Sequence, residues 1–286
     1  METRRKVVSR RMATDSFGSR PLSRALRVWL VVVSVLLLGV SLSLLVLTEQ
    51  TDRFFAWTVS PPLTAAFLGA GYAASCVFQL LAARQRLWIH ARIAPLGALI
   101  FTSLTLLATL IHLDRFHLDS FIGVFWVAIY AVAPPAMLLL VIRQWRMPGA
   151  DADRTQPLAS WLRLLLGLEA LILVPLGAAL FIAPQLTAPV WPWMLTPLTA
   201  RAIGAWLIAV GAGMAQAIWE NDLDRVRIAL ISFAVYGALQ LVAIARYADT
   251  ISWTTPQAWL FAVFPVVLLV SGGAGLARGT FQSRHN

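Results

Sequence analysis

The chain has 286 residues, of which 59% are hydrophobic and 13% charged, with a formal net charge of +10. Soluble domains average roughly 45–50% apolar and about 25% charged residues, so this composition excludes an ordinary soluble enzyme, a disordered regulator and, with one cysteine, a disulfide scaffold. What remains is a polytopic membrane protein.

Eight of the 23 Lys and Arg residues fall within residues 1–27. Basic charge flanking apolar spans sets topology and attracts anionic lipid, so it is not read as a nucleic-acid footprint. Residues 1–24 read as a basic, disordered tail. Ser9, Arg10 and Arg11 are faintly similar to a twin-arginine export signal. The apolar run behind them is too long for a signal h-region and no small-residue cleavage site follows, so an uncleaved anchor is expected.

A spanning helix needs about 20 predominantly apolar residues. Eight stretches qualify, at 25–47, 63–83, 93–112, 121–142, 161–182, 199–219, 227–246 and 257–276. They group as a first four-helix unit (25–142), a cytoplasmic linker (143–160), a second unit (161–276) and a tail (277–286). Glycines 272, 273 and 275 read as a loose helix end.

With the N-terminus inside, nineteen basic residues fall in inner segments and four, Arg53, Arg115, Arg201 and Arg246, in outer ones. Such a bias places both termini in the cytoplasm. Trp29, Trp88, Trp145, Trp161 and Trp219 lie at inner span ends, and Trp57, Trp191, Trp193, Trp253 and Trp259 near outer ends. Two aromatic belts at the interfaces are expected from them.

The two units repeat each other. Ser60-Pro61-Pro62-Leu63-Thr64 answers to Thr196-Pro197-Leu198-Thr199, and Thr64 and Thr199 are 135 residues apart. The same offset relates Arg92-Ile93-Ala94 to Arg227-Ile228-Ala229, and Asp114 to Asp249. Four spans per unit predict two tandem repeats in parallel orientation, related by a pseudo-two-fold axis along the membrane normal. Ser60 and Thr196 are candidate N-caps, each with proline at the first helical position. Behind them run Ala66, Ala70 and Ala74 in the second span, and Ala205, Ala209, Gly213 and Ala217 in the sixth. Small residues four apart let helices approach closely in lipid. Spans two and six are therefore expected to pack closely, either against each other or each within its own unit.

Candidate ligand-binding residues are few. Glu169 is the one acid well inside a span, about 13 Å deep at 1.5 Å per residue. A charge there is costly, so it should face the bundle. It reads either as a proton or substrate contact or as a neutral acid tying the fifth span to a neighbouring hydroxyl. Asp114, Arg115, Arg246 and Asp249, with His112, His117 and Asp119, cluster at the outer ends of spans three and seven. Asp114 with Arg115, and Arg246 with Asp249, are candidate ion pairs. Joined by Arg201, the cluster reads either as a vestibule for an anionic or zwitterionic solute or as solvated interface charge. Arg201 stands where the repeat has Ala66. Pro134, Pro135, Pro175 and Pro265 lie within spans, and broken helices often line transporter sites.

No nucleophile motif, metal-ligand spacing or nucleotide fingerprint is present, so no catalytic residue, metal site or cofactor is expected. The stretches Trp191-Pro192-Trp193-Met194-Leu195-Thr196-Pro197-Leu198-Thr199-Ala200-Arg201 and Ala108-Thr109-Leu110-Ile111-His112-Leu113-Asp114-Arg115 resemble a pattern in uncharacterised bacterial multi-pass membrane proteins. That resemblance implies a bacterial inner-membrane helical bundle and brings no activity with it. The expected function is non-enzymatic binding or transport of a small, weakly polar or lipid-like solute between the units. The alternative is an accessory subunit of a membrane complex, and a membrane-embedded enzyme is least favoured. Expected partners are membrane lipids and either another membrane protein or a second copy of the chain; nucleic acid is not among them.

Overall fold

The computed structural model describes residues 18–282. Eight of its helices are long and apolar enough to cross a membrane. They are α1 (Arg24–Val46), α2 (Pro62–Ala83), α3 (Ile93–Ile111), α4 (Phe121–Trp145), α5 (Ser160–Ile182), α6 (Pro197–Glu220), α7 (Leu223–Arg246) and α8 (Pro256–Gln282). No strand occurs among the described residues, only two isolated bridges.

Helix starts follow local chemistry. The Ser23 and Ser120 hydroxyls accept from Leu26 N and Gly123 N and so open α1 and α4. Thr196 opens α6 with a full capping box: its hydroxyl accepts from Thr199 N at 3.2 Å, and Thr196 N donates to the Thr199 hydroxyl at 2.9 Å. The matching expectation for Ser60 fails. α2 begins one residue later, its N-cap is Pro61, and no side chain caps it. The extra proline of Pro61-Pro62 puts a residue without a hydroxyl at the capping position.

The sequence predicts a loop between spans six and seven, but the structure has a two-residue turn. Asn221 takes the left-handed conformation (φ 43°) that ends α6, and the Asp222 carboxylate caps α7 by accepting from Arg225 N. Asparagine tolerates that conformation better than most residues. Arg225 thereby falls in the buried first turn of α7.

α1 packs on α2, α5 on α6 and α7 on α8, while α2 crosses to α7 and α6 crosses to α3. Glycines set the closest approaches. A Cβ on Gly177 would lie 2.7 Å from the Gly204 carbonyl oxygen, so α5 and α6 touch backbone to backbone. Gly237 and Gly272 do the same for α7 and α8, where a Cβ would fall 2.5 Å from the facing backbone. The glycine run of α8 is thus a tight contact rather than a loose end at Gly272.

Across the middle, the Ser232 hydroxyl donates to the Ala74 carbonyl at 2.9 Å, and Gln240 Nε2 donates to the Phe67 carbonyl at 3.0 Å. These bonds hold α7 along α2. Spans two and six meet directly at one place, where a Cβ on Gly71 would lie 2.9 Å from the Trp206 indole.

The tryptophans divide. Trp145, Trp161, Trp219 and Trp259 are exposed and suit an interface. Trp57, Trp88 and Trp193 are core residues, at most 4% exposed. Trp193 Nε1 donates to the Thr64 hydroxyl at 2.9 Å, tying the α5–α6 loop to α2.

Most of the tail expected over residues 1–24, including Ser9, Arg10 and Arg11, lies outside the described residues. Residues 18–23 form a strap over one end of the bundle. Arg20 N donates to Ala150 O, Trp88 N to Arg20 O, and Leu22 N to Arg86 O. Gln144 brackets the strap, accepting from Ser23 N at 2.8 Å and donating to Pro21 O at 2.8 Å.

Candidate functional site

A cavity of about 100 Å³ lies at the centre of the bundle, walled by α1, α2, α3, α4, α6 and α7. The small residues explain it. Gly71, Ala74, Ala209 and Gly213 line it, where larger side chains would fill the space between α2 and α6. Aromatic rings close it toward the Arg201 end, with Trp206 4.1 Å from Phe101 and 5.3 Å from Tyr72 between centroids.

The polar groups lining the cavity are mostly satisfied by protein. Ser232 bonds Ala74 O, Thr102 bonds Ala98 O at 2.8 Å, and the Tyr130 and Tyr72 hydroxyls share a bond of 2.9 Å. Gln79 differs. It lines the cavity, is 3% exposed, and its Oε1 has no hydrogen-bond partner. The Tyr236 hydroxyl also lacks a partner within bonding geometry, with Gln240 one helical turn along. A buried unpaired amide oxygen is expensive, by roughly 1–3 kcal/mol.

A charged network lies next to the end of the cavity nearest Gln79. Ile93 and Ala229 line the cavity, with Arg92 the N-cap residue just before Ile93 and Arg225 one helical turn before Ala229. Arg92 donates through Nε and Nη2 to the Glu220 carboxylate, the latter bond at 2.6 Å, and through Nη1 to Asp151 at 2.7 Å. Arg225 Nη1 donates to the same Glu220 at 3.2 Å and Nη2 to Ala152 O. The Arg92 guanidinium also lies 4.9 Å over the Trp219 ring. Nearby, burial would push the Asp222 carboxyl up, but bonds from Gln156 N, Thr155 N and Arg225 N and the Arg225 charge together hold it below its ordinary value.

This network was not foreseen. Arg92 and Arg225 read as inner-segment charges that set orientation, and a buried and a solvated charge look alike at a span end. Gln79, an uncharged residue near the end of a span, carries no charge signal. The legible signal was its spacing of four from Ser75, which puts both on one face of α2.

At the opposite end, Asp114 and Arg115 pair at 3.0 Å, both exposed. Together with His112 they line an open hollow of about 480 Å³. Arg201 Nη1 donates to His112 Nε2 at 2.6 Å, so that nitrogen carries a lone pair. The second candidate pair does not form. Arg246 donates to Leu45 O at 2.7 Å and lies over the Tyr247 ring, and no ion pair joins it to Asp249. Neither residue lines the hollow. The cluster therefore gathers around His112, Asp114, Arg115 and Arg201 alone.

Glu169 is buried on the α5 face that carries Leu166 and Leu173, and neither carboxylate oxygen has a partner. It is not among the cavity residues, and neither are the four span prolines. Glu169 and those prolines thus stand apart from the central cavity. Of the small-residue ladder, Ala74, Ala209 and Gly213 line the cavity, while Ala66, Ala70, Ala205 and Ala217 are buried elsewhere in the bundle.

Comparison of the chain with protein-family models, curated proteins and solved structures finds no match.

Proposed function

We propose that this chain is a multi-pass protein of the bacterial inner membrane that binds, and passes between its halves, a small, weakly polar or lipid-like solute. In this reading the eight spans are two tandem four-helix repeats in parallel orientation, with both termini cytoplasmic. The helix contacts favour the repeat: exchanging α1–α4 with α5–α8 turns the α1–α2 contact into α5–α6, and α2–α7 into α6–α3. The excess of basic residues at the Arg92 end favours the orientation.

The observation that carries the reading is the cavity between α2, α3, α6 and α7, with Gln79 Oε1 buried and unpaired in its wall. A structural subunit would gain by filling that space, since voids and unpaired polar groups both cost stability. The absence of charged side chains from the lining suits a neutral solute.

Native mass spectrometry of protein extracted gently from its own cells tests it. A small molecule or lipid should remain on the chain, and Gly213→Phe, which fills the cavity, should lose that mass. A bare wild-type chain would overturn the reading, and a stoichiometric second polypeptide would favour an accessory subunit.

A further inference from the structure

A second apolar hollow, of about 340 Å³, runs between α1 and α4 on the outside of the bundle. It shares Val33, Leu37, Ala98, Thr102 and Tyr130 with the central cavity. These five residues line both, so the groove adjoins the space that holds Gln79. The groove is flanked by exposed apolar side chains, among them Val32 and Val35 on α1 and Phe125 and Val132 on α4. Its surroundings are hydrocarbon when the helices span a membrane.

We infer that the solute is a neutral single-chain amphiphile taken laterally from the bilayer, with its hydroxyl or amide head at Gln79 and its chain in the α1–α4 groove. This rests on the binding role proposed above and adds the ligand class and the route.

Size decides the shape of the ligand. Ligand pockets measure about 300–1,000 Å³. The central cavity, at about 100 Å³, holds only a head of a few heavy atoms, whereas the groove is large enough for a hydrocarbon chain. A two-chain phospholipid has a charged head and one chain too many.

Charge and hydrogen bonding decide the head. No Asp, Glu, Lys, Arg or His lines either hollow. An anionic or cationic head would be stranded without a partner, at several kcal/mol on any scale. Gln79 Oε1 accepts and has nothing to accept from, so the head must bring an O–H or N–H. Of the other polar groups of the wall, Ser232, Thr102 and Tyr130 are bonded to protein, whereas the Tyr236 hydroxyl is not, so Gln79 and Tyr236 are the buried groups left for attachment.

The route follows from the groove itself, along which α4 stands off from α1 and leaves an apolar hollow. The opening is therefore on the α1–α4 side.

The test uses the full chain in phosphatidylcholine nanodiscs with a monoacylglycerol bearing a diazirine in its acyl chain. Light should fix the label to α1 and α4 residues of the groove. Unlabelled monoolein should compete, and a diazirine fatty acid and a diazirine phosphatidylcholine should label these sites weakly. Gln79→Leu should weaken labelling by about tenfold, the worth of one hydrogen bond to a buried group. Gly39→Trp should abolish it, because Gly39 lines the groove with open space beside it and the added indole blocks the groove without disturbing the cavity. Equal labelling by phosphatidylcholine, uncompeted by monoolein, would overturn the inference and mark an ordinary lipid contact. Labelling unchanged in both variants would overturn it too. If the native chain retains a different mass that Gly213→Phe loses but Gly39→Trp keeps, the binding role stands and the lateral route and ligand class fall.

Discussion

The Arg92 guanidinium grips the Glu220 carboxylate through two of its nitrogens, at a point where Glu220 is 0% exposed and 128 residues separate the two in sequence. Arg92 opens α3 and Glu220 closes α6, so the pair locks the first four helices to the last four beneath the central cavity. Removing one partner of a buried pair strands the other, which costs roughly 3–5 kcal/mol. Glu220 serves two guanidiniums, Arg92 and Arg225, while Asp151 is half-exposed and serves one. Destabilisation should therefore rank Glu220→Ala above Arg92→Ala above Asp151→Ala in denaturation by SDS. An Asp151→Ala variant as unstable as Glu220→Ala would refute the bridging role.

Asp222 gives the same end of the bundle a pH dependence. Its folded carboxyl titrates below the ordinary value despite burial, because three backbone N–H groups and Arg225 favour the ionised form. A depressed folded value means that its stabilisation is complete above the unfolded carboxylate range, near pH 4, and is lost as pH falls through the lower folded value. Thermal unfolding in detergent should show the wild type losing more stability than Asp222→Asn between pH 5 and pH 3. Parallel losses would mean that the 151–156 segment is held by something other than this carboxylate.

The helices were legible because hydropathy is a local property. Every span expected from the sequence is present, and most ends agree within a few residues. The charge network was not legible because it is a property of distant residues. The 135-residue offset equates Arg92 with Arg227, yet of these two it is Arg92 that meets Glu220, whose own counterpart is Gln85. The cavity was illegible for the same reason. Its lining comes from six helices, and a gap between small residues differs from a close contact only through what lies opposite. Gly177 meets the Gly204 backbone, while Gly213 has nothing nearer than the Phe233 ring at 3.9 Å.

Glu169 supplies a sharper test of what a lone buried acid does. Both its oxygens lack partners among the described residues. As an internal feature alone it is a liability, and Glu169→Leu should stabilise the detergent-solubilised protein by about 1–3 kcal/mol. A loss of stability instead would show that the carboxyl is satisfied by a group outside this chain, and Glu169 would return as a contact for a bound molecule or a neighbouring subunit.

The two repeat-related helix starts make the last prediction. Thr196 and Ser60 each head a matching motif, but at the 135-residue offset Thr196 answers to Pro61, and only Thr196 closes a capping box. Its hydroxyl bonds Thr199 N, and Thr199, itself fully buried, bonds back to Thr196 N. Thr196→Ala removes an acceptor from the first turn of α6 and should cost about 1 kcal/mol, with Thr196→Asn close to wild type because asparagine caps equally well. Ser60→Ala removes a hydroxyl that caps nothing and should stay within about 0.5 kcal/mol of wild type. SDS titration of the three variants reads the difference directly. Equal losses at both positions would mean that Ser60 caps α2 after all, and that the second proline at Pro61-Pro62 does not shift the start of that helix.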